Sequence, residues 1–166
     1  MISKNAPHEV TVPTITGIAG HKGYSVISVE KNMMNSEVGF GRKVLQVLEN
    51  EGISFEHMPT GIDSMCVVVQ SSVFDPHRSK VLAEIEKLVE GSGSVSVSDN
   101  LSIIATVGRG MVHNCGTAAR LFSAMSRARI NVRMIDQGSS ELSIIVGVND
   151  SDFEATIHAI YHEFVG

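Results

Sequence analysis

The stretch Met33-Met-Asn-Ser-Glu-Val-Gly-Phe-Gly41 is followed by a helical run to Gly52 and then by Ile53-Ser-Phe-Glu-His-Met-Pro-Thr-Gly-Ile-Asp63. A glycine-containing loop that opens a helix presents unpaired backbone N–H groups, which favour anions. The segment that returns from the helix adds two carboxylates, Glu56 and Asp63. Backbone amides that can bind an anion thus lie close in sequence to acids that can bind a cation. This combination suits a small zwitterion such as an amino acid. A capped surface helix with solvated acids is the alternative interpretation.

The same pattern occurs twice in the chain, and internal repeats decide the architecture. One constant shift along the chain places Gly39 on Gly116 and Ile53 on Ile130, and it needs no gap between positions 25 and 69. The same shift places residues 67–69 on residues 144–146. We therefore predict two units of about 75 residues, each small for independent stability, that share an interface.

Alternation of apolar residues and turn signals predict the strands, and helical spacing with capping residues predicts the helices. The predicted strands are residues 10–19, 24–30, 53–58, 65–70, 94–98, 101–107, 130–135 and 142–148, with a turn at 20–23. The predicted helices are residues 38–51, a run that opens at Asp75-Pro76 and stops at Gly91, residues 117–129 and residues 152–164.

Each unit thus has the order β-α-β-β-α, and the first adds a final strand. This order predicts an α+β fold of two ferredoxin-like units, each with an antiparallel sheet and both helices on one face. The second unit lacks a final strand, while the strand around residues 14–19 has no assigned partner. We predict that it completes the second sheet, so that residues 24–98 form a first domain inserted into a second, residues 10–23 plus 99–166, after a linker, residues 1–9.

Composition narrows the classes of function. The net charge of −5 and the 5% aromatic content argue against binding of nucleic acid, which needs basic groups and stacking aromatics. No apolar run is long enough for a membrane span, and the first residues lack the apolar core of a signal peptide. A cytoplasmic protein without membrane contact is the expectation.

Other constellations do not indicate an active or metal site. His158 and His162 would share a helical face, but no third ligand has recognisable spacing, so we expect no metal and no cofactor. Residues 139–141 are interpreted as a polar turn because nothing activates their serines. Cys66 and Cys115 have no metal-ligand spacing. A small standalone enzyme remains the alternative class, but no catalytic residue can be assigned.

Six segments occur in a fixed order: Thr16-Gly-Ile-Ala-Gly-His-Lys-Gly23, Asn32-Met-Met-Asn-Ser-Glu-Val-Gly-Phe40, Glu56-His-Met-Pro-Thr-Gly-Ile-Asp63, Val107-Gly-Arg-Gly-Met111, Gly116-Thr-Ala-Ala-Arg120 and Asn131-Val-Arg-Met-Ile-Asp-Gln-Gly-Ser-Ser140. Together they resemble the regulatory half of aspartate kinases, a tandem pair of ACT domains. The resemblance covers nearly everything after about residue 10 and implies the inserted topology. It also implies that the catalytic domain of those kinases is not part of this chain, which alone would have no kinase activity.

What the resemblance implies about function is allosteric feedback sensing. In this family amino-acid effectors bind between ACT domains, usually at an interface of two chains, so a homodimer is expected, with the aspartate kinase catalytic domain as a partner in the full-length protein. Lysine is the expected effector. Alternatives are a threonine- or methionine-responsive subunit and a generic small-molecule-binding ACT module.

Matching positions supply the candidate effector residues, although the loop at positions 36–40 is longer by one than the family pattern. The first unit offers Met33, Ser36, Gly39, Phe40, Gly41, Ser54, Phe55, Glu56, Ile62 and Asp63. A possible second site, with neutral polar groups in place of the acids, offers Asn114, Thr117, Asn131, Val132 and Gln137.

Overall fold

The computed structural model describes residues 13–166, so the predicted linker and the start of the first predicted strand lie outside the described residues. In chain order the elements are β1 (Gly17–Lys31), α1 (Phe40–Asn50), β2 (Ser64–Gln70), α2 (Ser71–Phe74), α3 (Arg78–Val89), β3 (Gly93–Val107), α4 (Thr117–Arg127), β4 (Met134–Asp136), β5 (Ser143–Asn149) and α5 (Phe153–Phe164). Short 3-10 turns occupy Met34–Ser36, Asp75–His77, Arg109–His113 and Asp150–Asp152.

The five strands form one antiparallel sheet in the order β2-β1-β3-β5-β4. The α+β class with two ferredoxin-like units is confirmed. The start of β1 pairs with the end of β3, as in Ala19 with Ala105, so the first strand does return to the second unit. The bounds given to the two domains stay a prediction, because β1 and β3 run without a break through both units.

The predicted turn at residues 20–23 is wrong. These residues lie inside β1, and the pairing with β3 shifts register between His21 and Tyr24 and again between Tyr24 and Val26. A bulge therefore bends one long strand where two separate strands were expected. Residues 94–98 and 101–107 are likewise one strand, β3, because pairing with β1 continues on both sides of an irregularity at Asp99-Asn100, where Asn100 has φ of 57°.

The predicted strands at residues 53–58 and 130–135 are also wrong in extent. Residues 53–60, here called the edge segment, form no continuous ladder with β2 and pair with it at isolated bridges of His57 and Thr60. The Glu56 N–H donates to the Val68 carbonyl at 2.8 Å, and the Pro59 carbonyl accepts from the Cys66 N–H at 2.9 Å. Pro59 has no N–H to extend the ladder. Of the predicted strand at residues 130–135, only Met134 and Ile135 lie in a strand, which is β4 (Met134–Asp136).

Each unit has its own core between its helices and one sheet face. In the first, α1 and α3 bury Val44, Leu48 and Ile85 against β1 and β2. In the second, α4 and α5 bury Leu121 and Ile160 against β3 and β5. The helices of each unit therefore lie on one face, as predicted.

The helix-free faces of the two units pack against each other. Tyr24, Val68, Leu101 and Ile103 form a third apolar cluster, joined by Met134, Val26 and Ile145, so that both units contribute. The bend in β1 and β3 thus lets the chain cover this part of both faces itself, so these faces give no reason to expect a dimer.

The constant shift that relates the two units holds through the first helix of each and as far as Glu56 and Arg133, but not in β2 and β5. Tyr24 pairs with Gln70 of β2, whereas its counterpart Leu101 pairs with Asn149 of β5, and the burial patterns of β2 and β5 match at this same longer offset. Val67 therefore corresponds to Val146, and the predicted match of position 67 with position 144 is displaced, since the turn that precedes β5 is longer.

Gly52 and Arg129 occupy equivalent left-handed positions after α1 and α4, with φ of 70° and 57°. The next residues, Ile53 and Ile130, both donate an N–H back to the helix at 3.0 Å. Arginine has a Cβ that disfavours this conformation by roughly 1–2 kcal/mol, which the greater freedom of unfolded glycine offsets in part. Arg129→Gly should therefore raise the free energy of unfolding in urea by up to about 1 kcal/mol, whereas Gly52→Ala should lower it by about 1 kcal/mol. A loss of stability in Arg129→Gly would contradict this account.

Candidate functional site

The loop between β1 and α1 is held closed by its own hydrogen bonds. Met33 has a left-handed backbone with φ of 58°, and its N–H donates to Asp63 Oδ1 at 2.9 Å. The Ser36 hydroxyl donates to the Met33 carbonyl at 2.7 Å, and the Asn35 N–H donates to the Ile62 carbonyl at 3.1 Å. Asp63 thus holds the turn that follows the edge segment against the loop that precedes α1.

The first turn of α1 begins at Gly39, whose φ of 81° lets the chain enter the helix directly from the loop. Gly39 has no side chain to cap the helix, and the Phe40 N–H is engaged by the Glu37 carbonyl at 3.2 Å. The next N–H groups, beginning with Gly41, point out of the helix start, where an anion is favoured. The Phe40 ring is buried, so Phe40 contributes packing to this locus.

A charged cluster that the sequence did not reveal lies beside this helix start. Glu37 accepts from Lys43 Nζ at 2.7 Å and lies 3.2 Å from Lys31 Nζ. The ammonium groups of Lys43 and then Lys31 lower the pKa of Glu37. Lys31 also lies over the Phe40 ring at 5.7 Å. No spacing rule connects these residues, because β1, the loop and α1 bring them together.

The ten candidates of the first unit do not converge on one pocket. Asp63 lines an open polar cavity of about 520 Å³ with Glu30, Lys31 and Asn32. Ser54 and Phe55 line a more apolar cavity of about 440 Å³ that includes Leu45, Leu48 and Ile53. The Met33 and Ile62 side chains are 68% and 70% exposed, so the loop presents apolar groups to its surroundings.

Glu56 and Asp63 lie at opposite ends of the pairing between the edge segment and β2. Glu56 bonds to Val68, whereas Asp63 directly precedes Ser64, the first residue of β2. Four residues of strand separate these points, which corresponds to about 13 Å. Glu56 also adds to the rise in the pKa of Tyr24, after burial of the Tyr24 ring itself. Within one chain, Glu56 therefore lies well away from the loop that Asp63 closes.

The second unit repeats the loop with its polar groups turned inward. Asn114 Nδ2 donates to the Gly110 carbonyl at 2.6 Å, and the Thr117 hydroxyl donates to the Asn114 carbonyl at 2.7 Å. Asn131 and Gln137 are exposed, and Val132 packs against the second core. The candidates of the second site are thus divided between closing their own loop and lying at the surface.

Matched positions show that the acids of the first unit have no counterpart in the second. The Arg133 N–H donates to Gly147, as that of Glu56 does to Val68. The Leu142 carbonyl accepts from the Gly108 N–H at 2.9 Å, as that of Asp63 does from Lys31. An arginine and a leucine therefore stand where the first unit has two carboxylates. The sequence alone could have shown this difference in charge. Asp63 matches Leu142, however, only with the longer shift that relates β2 to β5.

Among residues 13–166, no group of three or more His, Cys, Asp and Glu side chains could hold a metal ion. No helix in the described part of the chain is long and apolar enough to cross a membrane.

Residues 104–164 match the family model described as ACT domain. Aspartokinase 3 of Bacillus subtilis is 40% identical over 151 residues, which are 90% of this chain and 33% of that protein. The chain thus spans about a third of the length of this relative. Over 94% of this chain and 36% of the other, the aspartate kinase structure from Clostridium acetobutylicum is 47% identical with a TM-score of 0.88.

The same fold occurs in structures that are more distant in sequence. The ligand-free regulatory subunit of aspartate kinase from Thermus thermophilus has a TM-score of 0.74 at 21% identity, and the match covers 91% of this chain and 98% of that subunit. Aspartokinase III of Escherichia coli in complex with lysine and aspartate has a TM-score of 0.73 at 18% identity, over 95% of this chain and 34% of that one.

Proposed function

This chain corresponds to the regulatory ACT-domain region of aspartokinases, and we propose that it binds an amino acid, lysine, as an allosteric effector. The observation that carries the proposal is local to the first unit. An uncapped helix start at Gly39 lies beside a loop that the Asp63 carboxylate closes, so groups for a carboxylate and for an ammonium are close together. A structure of E. coli aspartokinase III, which shares this fold, contains lysine.

The first unit is the proposed effector unit. Lysine carries two ammonium groups, and the acids that could accept from them, Glu56 and Asp63, are replaced by Arg133 and Leu142 in the second unit. An arginine repels an ammonium and a leucine cannot accept from one. Threonine, with one ammonium and a hydroxyl, is the alternative effector at either unit.

We propose further that the site lies between two chains. Because Glu56 lies about 13 Å along the strand from Asp63, a two-fold pair could place the Ser54–Glu56 stretch of one chain against the loop of the other. Lysine held between chains then favours one arrangement of the pair by its different affinity for the two arrangements. That difference would be the allosteric signal.

A calorimetric titration of the purified chain with lysine, threonine and methionine tests the proposed function. Saturable heat with lysine is expected, together with a weaker or absent signal for methionine, which has one ammonium. Absence of binding for all three amino acids would overturn the proposal, and binding of threonine alone would reassign the effector.

A homodimer in solution is the next expected result. Exposed apolar side chains around the first loop, Met33, Val38 and Ile62, favour association there. Val38 is 98% exposed, so Val38→Asp should leave the fold intact and shift sedimentation toward the monomer at micromolar concentration. Val165→Asp, at a side chain 57% exposed after α5, is the matched control and should remain dimeric. A monomeric wild-type chain, with and without lysine, would exclude the inter-chain site.

The purified chain alone should form no aspartyl phosphate from ATP and aspartate. Phosphoryl transfer needs metal-binding acids and basic groups gathered around the nucleotide. We assign that task to a catalytic domain in the full-length protein, which this region would regulate. Measurable aspartyl phosphate from the purified chain, detected as its hydroxamate, would show that the region is itself catalytic.

A further inference from the structure

A cavity of about 260 Å³ lies at the junction of the two units, on their helix-free faces. Its walls come from β1, the edge segment, β2, β3 and β4, and its lining residues are Val26, Ser28, Pro59, Cys66, Ser98, Leu101, Arg133, Met134 and Ile135. None of these is an effector candidate, so the cavity is separate from the proposed lysine site. It is smaller than the roughly 300–1,000 Å³ pockets that hold drug-sized ligands.

The lining divides into an apolar body and a cationic end. Leu101, Met134 and Val26 belong to the apolar cluster between the units, and Ile135 and Pro59 continue that surface. Arg133 supplies the positive charge. On the first-unit side, Ser28 Oγ and Cys66 Sγ lie 3.6 Å apart.

The guanidinium of Arg133 is held in place by neutral acceptors. Its Nη1 donates to the backbone carbonyls of Asp99 at 3.0 Å and Asn100 at 3.3 Å and to Asn149 Oδ1 at 3.2 Å, and its Nη2 donates to the Ser98 hydroxyl. Within residues 13–166 it forms no ion pair, and its Nε has no acceptor. A fixed guanidinium with donors to spare is suited to a carboxylate.

The acids near the cavity are already engaged by other side chains. The Asp99 carboxylate accepts from Arg78 at 2.7 Å and from the Ser25 hydroxyl at 2.6 Å. The Asp136 carboxylate lies 3.0 Å from His57 Nδ1. No acid is found among the described residues that line the cavity, so a ligand ammonium would have no partner there.

We propose that this cavity binds a short aliphatic monocarboxylate, with its carboxylate on Arg133 and its hydrocarbon body against Leu101 and Met134. A zwitterionic amino acid would leave its ammonium buried and unpaired, which is costly. Because β4 and the edge segment both contribute, the bound acid would tie the two units together at the bend. The proposal does not depend on lysine binding at the loop.

Cys66 makes the test direct, because its half-buried thiol lines the cavity. In a Cys115→Ser background, which removes the exposed cysteine, the rate of reaction of Cys66 with methyl methanethiosulfonate is measured against added 3-methylbutanoate. Saturable slowing is expected. The matched probe 3-methylbutylamine has the same hydrocarbon body with the opposite charge, and it should not protect the thiol.

Two variants locate the binding groups. Arg133→Met removes the charge and should raise the half-protecting concentration of the acid by at least about tenfold. Ile135→Trp, at a side chain 53% exposed, fills the apolar end and should abolish protection without changing the urea midpoint, which keeps the test valid if Arg133→Met fails to fold. The proposal is overturned if up to about 50 mM 3-methylbutanoate does not slow the reaction of Cys66, or if the amine slows it equally. It is also overturned if the acid protects Cys66 in Ile135→Trp as well as it does in the wild type.

Discussion

Asp63→Ala should weaken lysine binding by about tenfold to over a hundredfold, because a hydrogen bond to a charged group contributes roughly 1.5–3 kcal/mol. Asp63 has two tasks in this account. One oxygen accepts from the Met33 N–H and closes the loop, while the other is available to a ligand ammonium. The alanine variant removes both tasks, so its titration alone would not separate charge from loop closure.

Asp63→Asn separates the two contributions. The amide oxygen can still accept from the Met33 N–H, but the negative charge is lost. If the carboxylate binds an ammonium, Asp63→Asn should weaken lysine binding nearly as much as Asp63→Ala does. If Asp63 only closes the loop, Asn should bind lysine as the wild type does, and the charge assignment would be wrong.

Glu56→Ala should weaken lysine by a similar factor but for a different reason, since Glu56 would reach the ligand from the second chain. Glu56→Gln keeps the size and removes the charge. Threonine, titrated in parallel, should lose less affinity in both Glu56 variants because it has one ammonium. If neither Asp63→Ala nor Glu56→Ala weakens lysine even about threefold in folded protein, the site lies elsewhere.

Local rules predicted the helix starts and the helix ends well. Gly39 and Gly116 both begin a helix from a left-handed backbone, and Ile53 and Ile130 both close the preceding helix. These features depend on residues within one or two turns of each other. A single sequence therefore contains most of the information that determines them.

Long-range pairing decided what local rules could not. The segment Gly20-His-Lys-Gly23 has the composition of a turn, yet pairing with β3 on both sides keeps it inside β1 as a bulge. The same bend brings the helix-free faces together and places His57 of the edge segment beside Asp136 of β4. No periodicity in the sequence reports a contact that depends on how far a strand bends.

The site shows the same division. Asp63 was singled out as a ligand group, and its part in closing the loop appears only in the structure. The cluster of Glu37 with Lys31 and Lys43 was missed, because charge pairing across a loop follows no fixed spacing. Arg133 was passed over although it repeats the position of Glu56, and the reversal of charge there was readable from the repeat.

Gly108→Ala should lower the free energy of unfolding by about 2–5 kcal/mol. The Gly108 backbone is extended, with φ of 178°, so its conformation does not itself require glycine. Glycine is required at position 108 because the backbone of residues 14–15 crosses it closely. A Cβ at residue 108 would overlap the Thr14 carbonyl oxygen and approach the Ile15 Cα to 2.5 Å, and backbone atoms cannot move aside as a flexible side chain can.

The cost of Gly108→Ala has two parts. Relieving the overlap displaces residues 13–15, which withdraws the buried Ile15 from the second core and breaks the 2.7 Å bond from the Thr16 N–H to the Val107 carbonyl. Loss of the Ile15 burial lowers the free energy of unfolding by roughly 1.5–3 kcal/mol, and the residual strain lowers it by about 1–3 kcal/mol more. Alanine also restricts the unfolded chain, which offsets at most about 1 kcal/mol of this loss. Urea unfolding measures the sum. Arg109→Ala, at the next position and exposed, should change the free energy of unfolding by less than about 0.5 kcal/mol. Equal effects of the two substitutions would show that the crossing segment does not hold the second unit together.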